Sequence, residues 1–104
     1  QVKLTQGNTK MGLMHIAQNH FAGSGNKQSG KFDSGTSIRE LVRIAQRAET
    51  ESGWNWNETR GSWELDLDMG SRIGVVSAVT NEPTSVVRII VNRAGEVVTM
   101  YPAP

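Results

Sequence analysis

Apolar residues change their spacing along this chain, and the change divides it into a helical part and a strand part. In MGLMHIAQNHF, residues 11–21, Leu13, Ile16 and Ala17 recur at i, i+3 and i+4, which predicts a short amphipathic helix. The stripe continues to His20, placing that imidazole at the edge of the buried face, while His15 points elsewhere around the helix. Ser37-Ile38-Arg39-Glu40 reads as a capping box. Behind it Ile38, Leu41, Val42, Ala45 and Ala48 form a second stripe, with Arg39, Arg43 and Arg47 on another face. Gly53 is placed to end this second helix.

From Trp63 onward the period is two. Trp63, Leu65, Leu67 and Met69 alternate with Glu64, Asp66 and Asp68, the pattern of a half-buried strand with an acidic outer face. Gly70-Ser71 turns the chain into an expected return strand over 72–80, and Asn81-Glu82-Pro83-Thr84 makes a second turn. Strands over 85–92 and 96–101 flank Arg93-Ala94-Gly95, a hairpin loop with glycine where a positive φ is needed. Pro102-Ala103-Pro104 is expected to end the last strand. The fold class is therefore α+β, with N-terminal helices on one face of a four- or five-stranded antiparallel sheet in meander order.

Residues 1–10 are polar and aperiodic, a flexible or extended lead-in. Residues 22–35 are rich in Gly and Ser and read as a loop. The expected organisation is one domain over 1–104: the lead-in, a helical part over 11–53 and a sheet over 54–104.

Composition narrows the chemistry. With 37% hydrophobic and 20% charged residues the chain has enough apolar material to fold, and no apolar run approaches the roughly 18 residues of a membrane span. Zero cysteines remove disulfides and thiolate chemistry together. The net charge of +1 hides an asymmetry: seven basic and three acidic residues over 1–50, four basic and seven acidic after that. A chain so divided can offer a basic face to an anion while staying near neutral overall.

The candidate residues follow from this. His15 and His20 are the only imidazoles, the groups that titrate near neutrality without special tuning. Their spacing of five, with no Glu between, does not suit a zinc pair on one helical face, so no metal is expected there. Either histidine can equally be a packed structural residue. Lys27 and Lys31 lie in a loop whose glycines permit close approach to a phosphate, although it matches neither a Walker motif nor a dinucleotide fingerprint. Glu64, Asp66 and Asp68 share one face of one strand, which is the wet face of a sheet or, with help from elsewhere, a metal site. Trp54 and Trp56 would share a face if extended, for stacking on bases or for packing. Arg88 sits within a strand of Val and Ile, where it needs a partner or an anionic ligand, and Thr99 lies on the neighbouring strand.

A helix bearing MHIAQNHF, a glycine-rich stretch ending KFDSGTSIREL, the Arg of WNETRGSW and the terminal VVRIIVNRAGEVVTMYPAP together resemble a known group. It is the C-terminal toxin domains of bacterial contact-dependent growth inhibition (CdiA-type) proteins and related polymorphic toxins. Within these the chain looks most like the metal-independent RNases of the barnase/EndoU/colicin/RelE (BECR) superfamily. The resemblance implies an endoribonuclease toxin acting on RNA, often tRNA, by attack of the 2′-hydroxyl on the adjacent phosphate, with no cofactor. It also implies a cognate immunity protein, delivery as part of a secreted or cell-surface effector, and action in the cytoplasm of the target bacterium. No particular host factor is indicated.

Carried onto this sequence, the resemblance makes His20 the first choice for general acid or base and His15 the second. Lys31 with Arg60 or Arg88 would stabilise the phosphate, and Thr99 and Tyr101 would position it. Lys27, Arg39, Arg43, Arg72 and Trp56 are the expected substrate-binding residues. EndoU-like members pair two well-separated histidines, whereas here both lie in one helix. The competing readings are a metal-dependent nuclease using Glu64, Asp66 and Asp68, and a non-catalytic binding or immunity-type module.

Overall fold

In the computed structural model, which describes residues 2–104, the elements in chain order are α1 (Gly12–His20), β1 (Lys31–Phe32), α2 (Ile38–Glu49), β2 (Asn55–Asn57), β3 (Ser62–Asp68), β4 (Gly74–Val75), β5 (Pro83–Thr84), β6 (Val86–Val91) and β7 (Val97–Ala103). The class is α+β, with two antiparallel sheets, one in the order β2-β3-β6-β7 and a smaller one in the order β1-β4-β5.

The Ser37 hydroxyl caps α2 by accepting the Glu40 N–H at 3.3 Å, one arm of the expected capping box. The helix ends at Glu49, earlier than Gly53, because the Thr50 N–H turns back to the Arg47 carbonyl at 3.1 Å. Its buried stripe is Leu41, Ile44, Ala45 and Ala48. Ile38 and Val42, expected on that stripe, are 54% and 39% exposed, one in the first turn and the other at the margin of the contact.

Among the described residues no side chain caps α1. Its first N–H groups are satisfied by the lead-in: Leu13 and Met14 donate to the carbonyls of Thr5 and Gln6, each at 2.9 Å. The lead-in is held in turn by the β6–β7 hairpin, where the Lys3 N–H reaches the Gly95 carbonyl at 2.7 Å and the Val97 N–H reaches the Lys3 carbonyl at 2.8 Å. α1 then lies along β7.

Alternation sorts the four-stranded sheet into two faces. Leu65 and Leu67 of β3, Val87, Ile89 and Val91 of β6, and Val97 and Met100 of β7 form the core with Ile16, Phe32 and the buried stripe of α2. The other face carries Glu64, Asp66 and Asp68, then Arg88, then Thr99 and Tyr101. A register shift beside Ile90 and Val91 leaves Val98 without a partner and brings Thr99 onto that second face.

Two strand expectations are corrected. Residues 72–80 do not return along β3, which pairs with β6 instead. Only Gly74–Val75 is strand, and it joins β1 and β5. Beyond it Ser77 accepts the Thr80 N–H at 3.1 Å, so a hydroxyl turn replaces the ladder. The last strand also runs through Pro102 and Ala103 rather than ending before them. β7 is an edge of its sheet, so the missing proline N–H costs it no ladder bond. No helix among the described residues is long and apolar enough to cross a membrane.

Candidate active site

The sheet register places Asp66, Arg88 and Tyr101 side by side across three strands on the face away from α2. Arg88 Nε and Nη2 donate to the two carboxylate oxygens of Asp66 at 2.8 and 3.1 Å, a bidentate pair that fixes the guanidinium plane. The pair is partly exposed and worth under about 1 kcal/mol of stability, so its main effect is orientation. The Asp66 hydrogen bonds raise the Arg88 pKa further above its ordinary value, with the Tyr101 hydroxyl adding to the effect.

α1 brings the histidines to the end of this row. The His20 ring stacks on Tyr101 with centroids 5.1 Å apart and planes at 28°, and His15 meets His20 edge-on at 5.5 Å. His20 is 6% exposed, and its Nδ1 lies 3.0 Å from the Gly30 carbonyl. A carbonyl only accepts, so Nδ1 carries the proton and Nε2 keeps its lone pair. Burial pushes the His20 pKa down to about 4; the Gly30 carbonyl opposes the shift, and the charges of His15 and Lys31 add to it. His20 is therefore neutral at pH 7. His15 Nδ1 donates in the same way to the Thr9 carbonyl at 3.1 Å.

Lys31 is only 4% exposed, and its ammonium donates to the Asn19 carbonyl and to the Ser24 hydroxyl, the latter at 2.9 Å. Burial lowers its pKa. Lys31 thus ties the last turn of α1 to the glycine-rich loop and holds the helix end that presents His20. The Thr99 hydroxyl is buried and has no hydrogen-bond partner among the described residues.

His15, His20, Arg88 and Tyr101 are thus brought together, with Lys31 behind them. Other candidates lie elsewhere. Arg60 sits in the β2–β3 turn, its N–H on the Asn57 side chain at 3.0 Å. Arg39 and Arg43 are exposed on α2, across the sheet from the histidines. Lys27 is exposed in its loop. Arg72 makes a bidentate pair with Asp33, with contacts of 2.9 to 3.2 Å, which holds the start of β4 to the end of β1. Trp56 pairs with Trp63 on the helix-bearing face, with ring centroids 5.1 Å apart.

The acidic stripe is committed to protein donors. Glu64 accepts from Asn57 at 2.8 Å, Asp66 holds Arg88, and Asp68 accepts from the Gly70 N–H at 2.9 Å and the Ser85 hydroxyl at 2.8 Å. No group of three or more His, Asp or Glu among the described residues is placed to hold a metal ion. Two contributors were missed in the sequence reading: the Gly30 carbonyl, which sets the His20 tautomer, and Asp66 as the partner of Arg88. The second had a signal, an Arg among Val and Ile that required a partner; the first had none.

The buried imidazole makes stability depend on pH. Between the unfolded value of 6.5 and the folded value of about 4, the unfolded chain binds the extra proton. Stability is therefore full above pH 6.5 and falls as the pH drops toward 4, by up to about 3 kcal/mol. Urea midpoints at pH 7 and 4.5 should fall more for the native protein than for His20→Gln; parallel losses would contradict the assignment. Set against protein-family models, curated proteins and solved structures, the chain matches none of them.

Proposed function

We propose that this domain is a metal-independent endoribonuclease of the BECR type, the toxin domain of a contact-dependent growth inhibition effector. One observation carries the reading: a neutral, tautomer-fixed imidazole stacked at the end of a row that also holds a second imidazole and a fixed guanidinium.

His20 Nε2 takes the proton of a ribose 2′-hydroxyl as O2′ attacks the adjacent phosphorus. Arg88 neutralises the non-bridging oxygens of the phosphorane, and the Tyr101 hydroxyl hydrogen-bonds to them. His15 gives a proton to the leaving O5′. The O2′–P bond forms as the P–O5′ bond breaks, leaving a 2′,3′-cyclic phosphate and a 5′-hydroxyl. A base with a pKa near 4 is always in the required form at pH 7 but is weak. The phosphate bound beside it strengthens it, because an anion favours the protonated ring. Lys31 positions His20 through α1.

In this reading tRNA is the substrate class, and a cognate immunity protein neutralises the domain in the cell that makes it. The domain acts in the cytoplasm of the target bacterium after delivery by a secreted or cell-surface effector. Incubating the purified protein with bacterial tRNA in excess EDTA tests the chemistry. Cleavage that survives EDTA and drops about 100-fold or more in Arg88→Ala is expected. Intact RNA, or activity that EDTA abolishes, would overturn the reading and favour the metal-dependent alternative or a non-catalytic module.

A further inference from the structure

A cleft of about 430 Å³ lies away from the histidines, where the lead-in crosses the β6–β7 turn beside the end of α2. Lys3, Glu49, Trp54, Trp63, Arg93 and Gly95 line it. Trp63 is 41% exposed there, although it sits on the helix-bearing face in line with Leu65 and Leu67. Trp63 lies against Trp56 and beside Trp54, so the indoles form an aromatic patch left partly open to solvent at the end of a buried row.

Its surroundings describe the ligand. The Arg93 guanidinium stacks over Trp56 at 5.1 Å, and Trp56 in turn packs on Trp63 at 5.1 Å, so aromatic faces and cations alternate along one edge. Stacking fixes the plane of the guanidinium while leaving its N–H groups at the rim for an anion. Lys3 is anchored on both sides by backbone bonds to Gly95 and Val97, which holds a second cation at the same rim. The one acid in the lining, Glu49, is occupied by the Val2 N–H at 3.0 Å. Trp54 forms a wall whose own N–H goes to the Ala48 carbonyl at 3.3 Å. An open π-face beside two cations suits a planar base carrying a phosphate, and the volume suits a single nucleotide.

We infer that this cleft binds one unpaired nucleotide of a single-stranded nucleic acid, its base stacked on Trp63 and its phosphate held by Lys3 and Arg93. The site lies across the sheet from His20 and stands without the proposed chemistry. A strand that engages it would be gripped at a point remote from any cut.

The probe is a fluorescein-labelled oligodeoxyadenylate hexamer, which has no 2′-hydroxyl and so reports binding alone. Anisotropy should report binding, with quenching of tryptophan emission. Trp63→Leu, which keeps an apolar side chain and removes the π-face, should weaken binding about 10-fold or more. Lys3→Ala and Arg93→Ala should each reduce the slope of log K against log salt by about 0.7. Absence of binding overturns the inference, and so does binding that neither Trp63→Leu nor the two charge removals alter. A protein ligand for the cleft would give the first of these results. Loss of RNA cleavage with oligonucleotide binding intact would count against the ribonuclease reading alone.

Discussion

His20→Ala is expected to reduce RNA cleavage by about 10²- to 10⁴-fold, the range that a positioned general base contributes. The size of the loss follows from there being no substitute in place. His15 is the only other imidazole, and its Nδ1 is turned to the Thr9 carbonyl at 3.1 Å, away from the Gly30 contact that orients His20. The substitution also removes the ring stacked on Tyr101 and leaves the Gly30 carbonyl without its donor, so some stability is lost with the activity. His20→Gln separates the two effects, since an amide can still donate to Gly30 but is no base. Urea unfolding and initial cleavage rates on the same preparations should give a nearly native midpoint for His20→Gln with activity as low as in His20→Ala. Substantial activity in His20→Gln would mean that the ring is structural.

Gly30→Ala should destabilise the fold by about 3 kcal/mol, the upper end of overpacking. A Cβ at Gly30 would lie 2.0 Å from the Pro102 carbonyl oxygen and 3.0 Å from its carbon, both main-chain atoms of β7. The obstruction is backbone, so no rotamer change relieves it, and the segment entering β1 must move off β7. The carbonyl that holds His20 Nδ1 moves with it, so cleavage should fall together with stability. Gly25→Ala is the control in the same loop: nothing lies within 4 Å of a Cβ there, and it should leave the urea midpoint nearly unchanged. Equal midpoints for Gly30→Ala and Gly25→Ala would contradict the packing account.

What the sequence made legible follows from the length of each element. α2 and β3 are long enough for a period to emerge, and both lie where their patterns placed them. β1, β4 and β5 are two residues each, too short to carry a period, and their sheet is made by chain segments far apart in sequence. That is why 72–80 read as a strand of the main sheet. At the site, the place of His20 at the end of the α1 stripe and the need of Arg88 for a partner were both visible locally. The stacking of His20 on Tyr101 was not, because it depends on how α1 lies along β7. The face taken by Trp56 depended on the β2–β3 register, which pairs it with Trp63 and so turns it away from the histidines. Lys31 looked like a phosphate ligand in a flexible loop; its burial against the end of α1 makes it a clamp instead.

The central claim, attack by a 2′-hydroxyl at the His20–Arg88 row, is tested most directly by the ends of the RNA fragments. Digestion of bacterial tRNA in EDTA, followed by end analysis, should give 2′,3′-cyclic phosphates opposite 5′-hydroxyls, with none formed by His20→Ala. Fragments carrying 5′-phosphates and free 3′-hydroxyls would place the nucleophile on water and contradict the account.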